Sequence, residues 1–265
     1  MVNDFIDHLK HPMAYLLRDL MEREYRVAKQ LMIIDDEDCI VEAFKANIRI
    51  SDIIYTDVCP ESILKFSNSN ISMWQLSPRT GKKIFGGEKR SRLLAIAHVP
   101  FKEVFKPLIS LKKDFLVLDQ LKITGNIGAI IRSSKAFNIG ALILVGVQPI
   151  DLYDRRIIRA SRGLVFSVPI YCLSIEQWQQ LANEIDHEIL FTASNQKKDV
   201  DFLLNGKKNY AVIMGSEKDG CDKLLKETAK FGISIPMSSS VESLNVSVAS
   251  SLVMYHLFKK NNAQC

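Results

Sequence analysis

The sequence predicts an α/β protein in which a small α/β unit precedes a larger unit built on a parallel sheet. The chain has 265 residues, which is long for one ordinary domain. In its second half, short apolar segments alternate with helical segments, a pattern typical of parallel strands with helices on both faces. We therefore predict a first domain over residues 1–105 and a second over residues 106–265.

Helical spacing of apolar residues in the first half predicts one helix over residues 12–34 and a second over residues 36–48. Asp35 or Asp36 is a suitable N-cap for the second helix, because a short carboxylate can accept a hydrogen bond from the first turn. The segment PFKEVFKPLISLKKD should connect the two domains. Short strands are predicted at ISDIIYT, ISMWQL and RLLAIAHV.

The second half is predicted to hold six strands and a final helix from about Leu244 to Lys260. In a parallel sheet, ligands bind beyond the carboxyl ends of the strands. Small and polar residues are concentrated in the loops after the first, fifth and sixth of these strands, so we expect the functional site there. The six strands are FLVLD, ALILVG, LVFSVPIY, EILFTAS, YAVIMG and GISIPM.

Composition narrows the class of protein. The chain is 47% hydrophobic and 25% charged, which is typical of a globular protein in water. Its apolar runs are far shorter than the roughly 20 residues needed to span a bilayer. The start, MVNDFIDHLKH, lacks the basic residues and apolar centre of a signal peptide. We expect a cytoplasmic protein with no membrane partner.

The cysteines indicate neither a disulfide framework nor a metal site. Their number is odd, no two are spaced as CxxC, and the five histidines do not cluster near them. This pattern fits a reducing compartment, and we expect no metal. The cysteines are Cys39, Cys59, Cys172, Cys221 and Cys265.

Positive charge is concentrated in two runs. The net charge of +5 permits a nucleic-acid partner without requiring one. RTGKKIFGGEKRSR, residues 79–92, has six basic residues and one acidic residue, and DRRIIRASRG, residues 154–163, has four arginines. One such run is commonly a solvated face, but two favour a polyanion such as RNA.

The stretch LVLDQLKITGNIGAIIRSSKAFNIGALILVG, residues 116–146, has the strand, glycine loop and helix of a dinucleotide-binding fold. That fold needs G-x-G-x-x-G and an acidic residue about 20 positions later, at the end of the next strand. Only Gly125 and Gly128 are present, and no acidic residue follows before Asp151. A nicotinamide dehydrogenase is therefore disfavoured.

Three loops resemble, in order, the motifs of the TrmH-like branch of the SPOUT RNA methyltransferases. They are NIGAIIR (126–132), IMGSEKDG (213–220) and IPMSSSVESLNVSVASSL (235–252). With KITGNIGAI and DRRIIRASRGLVFSVPI, they are most similar to the thiostrepton-resistance rRNA adenosine-2′-O-methyltransferases. Many relatives have glycine after the residue matching Phe137, where this chain has Asn138, but asparagine also tolerates a left-handed turn.

The resemblance implies a SPOUT methyltransferase domain with a trefoil knot, preceded by a ribosomal-protein-like RNA-binding domain. It also implies a homodimer, S-adenosyl-L-methionine as cofactor, and RNA, in this branch 23S rRNA, as substrate. The implied reaction is 2′-O-methylation of an adenosine in the GTPase-centre region, which confers resistance to thiostrepton-type antibiotics. Knots are too rare for periodicity alone to predict one.

The resemblance also implies the site residues. Arg132 is the implied catalytic residue, but a guanidinium stays charged up to a pH of about 12 and is a poor base. We expect it to hold a phosphate and to stabilise the developing alkoxide, and the proton acceptor stays open. The implied catalytic set is Arg132, Asn126, Glu217, Ser243 and Asn245; the cofactor set is Ala193, Met214, Gly215, Ser216, Glu217, Ile235, Pro236, Met237, Ser243 and Leu244; the RNA set is Phe85, Lys89, Arg90, Arg92 and Arg162.

Some of these residues have simpler structural interpretations. Asn126 could serve only as the N-cap of its helix. Phe85 could belong to the core as readily as it could stack on a base. Glu242 is interpreted as a mere neighbour of the third motif. Further candidate phosphate contacts are Arg79, Lys82 and Lys83.

Two alternative functions remain open at this point. The same chemistry could act on tRNA or on another rRNA site. The chain could also be an RNA-binding protein that keeps the fold without methylating, although the intact set of polar motif residues weighs against this.

Overall fold

The computed structural model of the chain describes residues 2–66, 70–86, 92–100, 106–194, 196–216 and 220–263. The chain divides into two compact units. The first unit is Met1–Phe101 with Ile150–Ser167, and the second is Lys102–Pro149 with Val168–Cys265. The first unit therefore includes a segment from the half predicted as the second domain. The assignment of RNA recognition to one half and methyl transfer to the other stays a prediction.

The helices and strands of the described residues follow in chain order, and three short 3₁₀ segments lie at Pro149–Tyr153, Leu164–Phe166 and Val200–Asn205. They are β1 (Val2–Ile6), α1 (Pro12–Asp19), α2 (Arg23–Lys29), β2 (Leu31–Asp35), α3 (Glu37–Lys45), β3 (Ile50–Tyr55), α4 (Glu61–Leu64), β4 (Ser72–Leu76), α5 (Pro78–Phe85), β5 (Leu93–His98), α6 (Lys106–Ile109), β6 (Phe115–Asp119), α7 (Thr124–Ala136), β7 (Ala141–Val145), α8 (Arg155–Ala160), β8 (Ile170–Leu173), α9 (Ile175–Glu184), β9 (Glu188–Thr192), β10 (Lys198–Asp199), β11 (Tyr210–Met214), α10 (Lys223–Glu227), β12 (Phe231–Ser234) and α11 (Val246–Ala263).

The first unit is built on a five-stranded sheet with the order β1-β4-β3-β5-β2. The sheet is mixed, because β5 runs antiparallel to both β2 and β3 while β4 is parallel to β1 and β3. Fully or almost fully buried side chains such as Ile33, Ile54 and Ile96 form its core. The three strands predicted in this half are confirmed, and β1 was not predicted.

The single helix predicted over residues 12–34 is wrong. The structure has two short helices there, α1 and α2, followed by strand β2. Gln30 adopts a left-handed backbone conformation (φ 52°), which ends α2. Met32 to Asp35 are all buried, and periodicity cannot separate such a short apolar run from a buried helix. The second predicted helix is confirmed as α3; Asp36 is its N-cap residue, but its side chain makes no capping bond.

Buried ion pairs attach the segment Ile150–Ser167 to the rest of the first unit. Arg155 Nη1 lies 3.1 Å from Oδ2 of Asp35, whose side chain is fully buried, and Arg26 Nη2 lies 3.2 Å from Asp154 Oδ2. Burial raises the pKa of Asp35 to about 6. Gly163 has φ 77°, and a Cβ there would come within 2.9 Å of the Cys39 Cα, so this close approach requires glycine.

The second unit contains a seven-stranded sheet with the order β10-β12-β9-β11-β6-β7-β8. All its strand pairs are parallel, which confirms the predicted parallel sheet. β6, β7 and β11 are buried at every residue, as expected for central strands covered on both faces. Of the six predicted strands only LVFSVPIY is shifted, because residues 164–166 form a 3₁₀ turn and β8 begins at Ile170.

The loops that follow β6, β11 and β12 lie at the carboxyl ends of parallel strands and are close together for that reason. The final helix, α11, begins two residues later than predicted. Asn138 follows α7 with φ 51°, so the predicted left-handed turn is confirmed. The trefoil knot stays a prediction. Within the described residues, no helix is both long and apolar enough to cross a membrane.

Candidate active site

Asn126 lies in the first turn of α7, the helix that follows the buried strand β6. The N-cap residue of this helix is Ile123, and Asn126 is its third residue, so the interpretation of Asn126 as an N-cap is wrong. Its Oδ1 instead accepts a hydrogen bond from Asn245 Nδ2 at 3.2 Å. The first and third motifs therefore meet at these two asparagines.

Asn245 directly precedes α11 and is held by the start of that helix. Its Oδ1 accepts hydrogen bonds from Ser247 N (2.9 Å) and Ser247 Oγ (2.6 Å), which satisfies a backbone donor of the first turn. Because the side-chain oxygen is engaged with the helix, the amide NH₂ is the group directed at Asn126. One side chain thus caps α11 and positions a residue of α7.

A cavity of about 510 Å³ lies at the carboxyl ends of β9, β11 and β12, and we call it the β11 cavity. Pro236 is not among its lining residues, and Glu217 lies outside the described residues. Eight members of the predicted cofactor set line it: Ala193, Met214, Gly215, Ser216, Ile235, Met237, Ser243 and Leu244.

Sequence reasoning did not assign the other eight described lining residues of the β11 cavity to the cofactor, and it interpreted one of them, Glu242, as a mere neighbour. Thr192 and Ser194 flank Ala193 at the end of the same strand. Their position beside a predicted cofactor residue is the sequence signal that could have identified them. Lys226 lies on α10, where no motif pointed to it. The eight residues are Thr192, Ser194, Gly220, Cys221, Lys226, Glu242, Val246 and Ala249.

The β11 cavity is suited to a nucleoside-like cofactor. Ser216 and Gly220 exchange two backbone hydrogen bonds (2.9 and 3.1 Å), so these two residues are fixed beside each other after β11. A Cβ on Gly215 would lie 2.3 Å from Cys221 N, so only glycine fits there. Burial raises the pKa of Cys221 to about 12, so its neutral thiol adds to the apolar wall. Apolar side chains and loop backbone groups together match a purine nucleoside.

A second cavity of about 550 Å³ lies beside the start of α7, and we call it the α7 cavity. Asn126 lines it, together with the buried Asp119 and the lysines Lys122 and Lys223. Burial raises the pKa of Asp119. Four residues line both cavities, which therefore share a wall: Ser216, Gly220, Cys221 and Val246.

Arg132 lies further along α7 and lines neither cavity. Its side chain is exposed, and it forms no hydrogen bond or ion pair with any residue that the structure describes. Ser243 is also exposed but lines the β11 cavity. The structure therefore brings Asn126 and Ser243 to the two cavities, and Asn245 is hydrogen-bonded to Asn126. Arg132 lines neither cavity within one chain.

The predicted RNA contacts of the first unit have different surroundings. Arg92 and Arg162 are exposed and form long ion pairs with Asp57 (3.7 Å) and Asp38 (3.8 Å). Such exposed pairs are weak, so both arginines remain available to a phosphate. The predicted contacts Lys89 and Arg90 lie outside the described residues.

Phe85 fits the core alternative. It is only 7% exposed, packs in the core of the first unit, and has the Arg155 guanidinium 5.2 Å from its ring centre. It has almost no exposed ring surface for a base. The same helix instead presents three exposed cations at helical spacing that form no ion pair with a described residue: Arg79, Lys82 and Lys83.

Cysteines and other metal-binding side chains are dispersed in the described part of the chain. No group of three or more histidine, cysteine, aspartate or glutamate residues there could hold a metal ion. The described cysteines, Cys39, Cys59, Cys172 and Cys221, are free thiols.

Comparison with known families matches most of the chain. Residues 113–255 match the SpoU rRNA Methylase family. Residues 3–110 match the N terminus of the thiostrepton-resistance methylases. Each half of the chain therefore matches the model of a methylase family.

Curated relatives match over nearly their full length. The chain is 31% identical to the 23S rRNA (adenosine(1067)-2′-O)-methyltransferase of Streptomyces azureus, over 87% of each chain. It is 28% identical to the enzyme of that description from Streptomyces laurentii, over 97% of this chain and 96% of the relative.

Solved structures share the fold. An RNA 2′-O ribose methyltransferase superposes with a TM-score of 0.84 at 24% identity, over 97% of this chain and 99% of that one. A SpoU methyltransferase from Streptomyces viridochromogenes, in complex with AdoMet, superposes with a TM-score of 0.81 at 20% identity, over 96% and 99%. With the family match over residues 113–255 and the full-length relatives, these findings establish that the chain belongs to the SpoU rRNA methylase family.

Proposed function

We propose that this protein uses S-adenosyl-L-methionine to methylate the 2′-hydroxyl of a ribose in RNA. The proposed target is an adenosine in the GTPase-centre region of 23S rRNA, and its methylation confers resistance to thiostrepton-type antibiotics. The observation that supports this most directly is the wall shared by two cavities beside the Asn126–Asn245 hydrogen bond. One cavity suits a nucleoside cofactor, and the other suits a nucleotide of the substrate.

The cofactor supplies an electrophilic methyl group on a sulfonium. The β11 cavity would hold it through Met214, Ile235 and Leu244 on the apolar side and the loop around Gly215 on the polar side. The proposed role of Ser243 is to bridge the cofactor and the target ribose. Enclosure by these residues excludes water from the reacting groups.

The target ribose would be positioned by Asn126 in the α7 cavity, with Asn245 fixing the orientation of that amide. Lys122 and Lys223 line the same cavity and supply positive charge for phosphates. Arg132 is a poor acceptor for the hydroxyl proton, since a guanidinium remains charged up to a pH of about 12. That proton would pass to water or to a phosphate beside the target ribose as the methyl group leaves the sulfonium. Its proposed role is to bind a phosphate beside the target and to stabilise charge that develops on the 2′-oxygen.

We further propose that the protein acts as a homodimer. Arg132 lines neither cavity of its own chain, so a second copy is the means of bringing it to a cavity. Helix α11 also leaves Val248 (49% exposed) and Tyr255 (45% exposed) on the surface, with Phe137 packed against the Tyr255 ring. Analytical ultracentrifugation should give about twice the 30.0 kDa mass of one chain.

The activity can be tested with labelled S-adenosylmethionine and two substrates, a GTPase-centre rRNA fragment and bulk tRNA. We expect label in the rRNA fragment and a primer-extension stop at one adenosine. Label in tRNA alone would contradict the proposed substrate, and label in neither would favour an RNA-binding protein without activity. We place the reaction in the cytoplasm, where ribosomes are found, and assign no role to a metal ion.

A further inference from the structure

Two charged side chains, Lys226 and Glu242, line the β11 cavity among the described residues, and their charges are opposite. Lys226 lies on α10, and Glu242 lies in the loop between β12 and α11. The other described lining residues are apolar or neutral. The cavity therefore offers one positive and one negative group to its occupant.

Lys226 is half-buried, and the described part of the chain provides no carboxylate within 4.0 Å of its ammonium group. Its Nζ lies 5.9 Å from the centre of the Phe191 ring. Glu227, the next residue, pairs instead with Lys223 at 3.9 Å. Asp119 is close enough for Lys226 to act on its pKa, but the two form no ion pair. A half-buried ammonium without a close carboxylate is well placed to bind an anionic ligand group.

Glu242 is exposed, and it forms no ion pair with a described residue. Ser243 and Leu244, which follow it directly, line the same cavity. The Glu242 carboxylate can therefore form an ion pair with a cationic ligand group without first breaking an ion pair with a described residue.

We propose that Lys226 binds the α-carboxylate of S-adenosylmethionine and that Glu242 binds its α-ammonium group. This inference depends on the proposed cofactor of the β11 cavity. An amino-acid end with one negative and one positive group matches the two ionic side chains in sign and number. The purine end is then left to the apolar residues Met214, Ile235 and Leu244.

The test is isothermal titration calorimetry on the full-length protein with three ligands. S-adenosylhomocysteine has both the carboxylate and the ammonium group, decarboxylated S-adenosylmethionine has only the ammonium group, and 5′-methylthioadenosine has neither. The variants are Lys226→Met and Glu242→Gln. The matched controls are Lys230→Met and Glu227→Gln, two exposed positions of the same region that do not line the cavity.

We expect Lys226→Met to weaken binding of S-adenosylhomocysteine about tenfold or more, because it removes a charge-assisted hydrogen bond. Binding of the other two ligands should not change. Glu242→Gln should weaken binding of both ligands that have the ammonium group and leave 5′-methylthioadenosine unaffected. The two control variants should bind all three ligands as the unaltered protein does.

Equal weakening of all three ligands by Lys226→Met would indicate a distorted cavity and would overturn the inference. Unchanged ligand binding with weaker RNA binding would assign Lys226 to an RNA phosphate instead, and would also overturn it. If the unaltered protein bound none of the three ligands, the proposed cofactor itself would be wrong. The failure of the inference and the failure of the proposed function are therefore distinguishable.

Discussion

The two ends of strand β6 each have a buried aspartate, and the two carboxylates are satisfied very differently. At the amino end, Asp114 is 1% exposed, and its Oδ1 accepts hydrogen bonds from Lys260 Nζ (2.7 Å) and Tyr210 N (2.7 Å). Its Oδ2 accepts a third from Asn261 Nδ2 (2.9 Å). At this end of the sheet, both oxygens of the buried carboxylate accept hydrogen bonds.

At the carboxyl end of the strand, Asp119 is 2% exposed and accepts one hydrogen bond on Oδ2, from Asp222 N (2.6 Å). It lines the α7 cavity, and burial raises its pKa. The amino end of β6 therefore contributes to stability. The carboxyl end instead has a buried carboxylate with few hydrogen bonds beside a cavity. Buried polar groups with few hydrogen bonds are common at functional sites, where the need to bind a ligand lowers the stability of the fold.

Removing the cation at the amino end should have the largest effect on stability. Lys260→Met leaves the Asp114 carboxylate buried without its counter-charge, and we expect the free energy of unfolding to fall by about 3–5 kcal/mol. Urea denaturation measures this change. Lys259→Met, at the exposed neighbouring residue, is the control and should cost far less. A loss below about 1 kcal/mol for Lys260→Met would show that the amino end is not the main anchor.

Arg132→Ala should lower the methylation rate without changing the stability of the fold. Loss of a donor that stabilises developing charge typically costs about 10²- to 10³-fold in kcat. The side chain is exposed and has no partner among the described residues, so the urea midpoint should not move. Initial rates of label incorporation into the rRNA fragment give the readout. Lys135→Ala, exposed on the same helix, should leave the rate intact, and unchanged methylation in Arg132→Ala would remove the residue from the mechanism.

Asn245 permits a test that separates its two contacts. Asn245→Ala loses both the cap on α11 and the donor to Asn126, so we expect a stability loss of about 1 kcal/mol together with slower methylation. Asn245→Asp keeps an oxygen for the cap but cannot donate to Asn126. It should therefore retain stability and still methylate slowly. If Asn245→Asp were fully active, the contact between the two asparagines would have no positioning role.

Asp119→Asn should give the smallest effect, opposite in sign to that of Lys260→Met. A carboxyl group whose pKa is higher in the folded protein makes the fold less stable as the pH rises from the unfolded pKa to the folded pKa. The amide cannot ionise, and its oxygen can still accept from Asp222 N. The variant should therefore be as stable as the unaltered protein at pH 7, or more stable by at most about 1 kcal/mol. Any gain in the free energy of unfolding should shrink on acidification to about pH 4. A large loss of stability at pH 7 would instead show that the Asp119 carboxylate stabilises the fold as Asp114 does.

The sequence predicted the parallel sheet well because its central strands are buried on both faces and therefore appear as continuous apolar runs. The same signal failed at LMIID, where an apolar run of four residues follows a helical pattern and periodicity cannot place the boundary. The attachment of Ile150–Ser167 to the first unit depends on pairs such as Arg155–Asp35, which are far apart in sequence and show no local pattern.

For the site, motif positions identified eight of the residues that line the β11 cavity. Lys226 was missed, and the interpretation of Glu242 as a mere neighbour of the motif is wrong, since both line the cavity. A charged residue on an amphipathic helix or a serine-rich loop normally faces solvent, and only the fold shows where its side chain lies. Phe85 was ambiguous for a related reason, since an aromatic residue inside a basic run fits both a core and a stacking surface.

The hydrogen bond between Asn126 and Asn245 joins residues 119 positions apart, and one of its partners also starts the last helix. Methylation therefore reports on whether α11 has docked against α7, rather than on local structure at either motif. The contact between Ser133 Oγ and Ser251 Oγ (2.8 Å) lies further along the same pair of helices. A substitution there could disable the enzyme while leaving its helix content and its ligand cavities almost unchanged, so activity would be the more sensitive gauge of correct assembly.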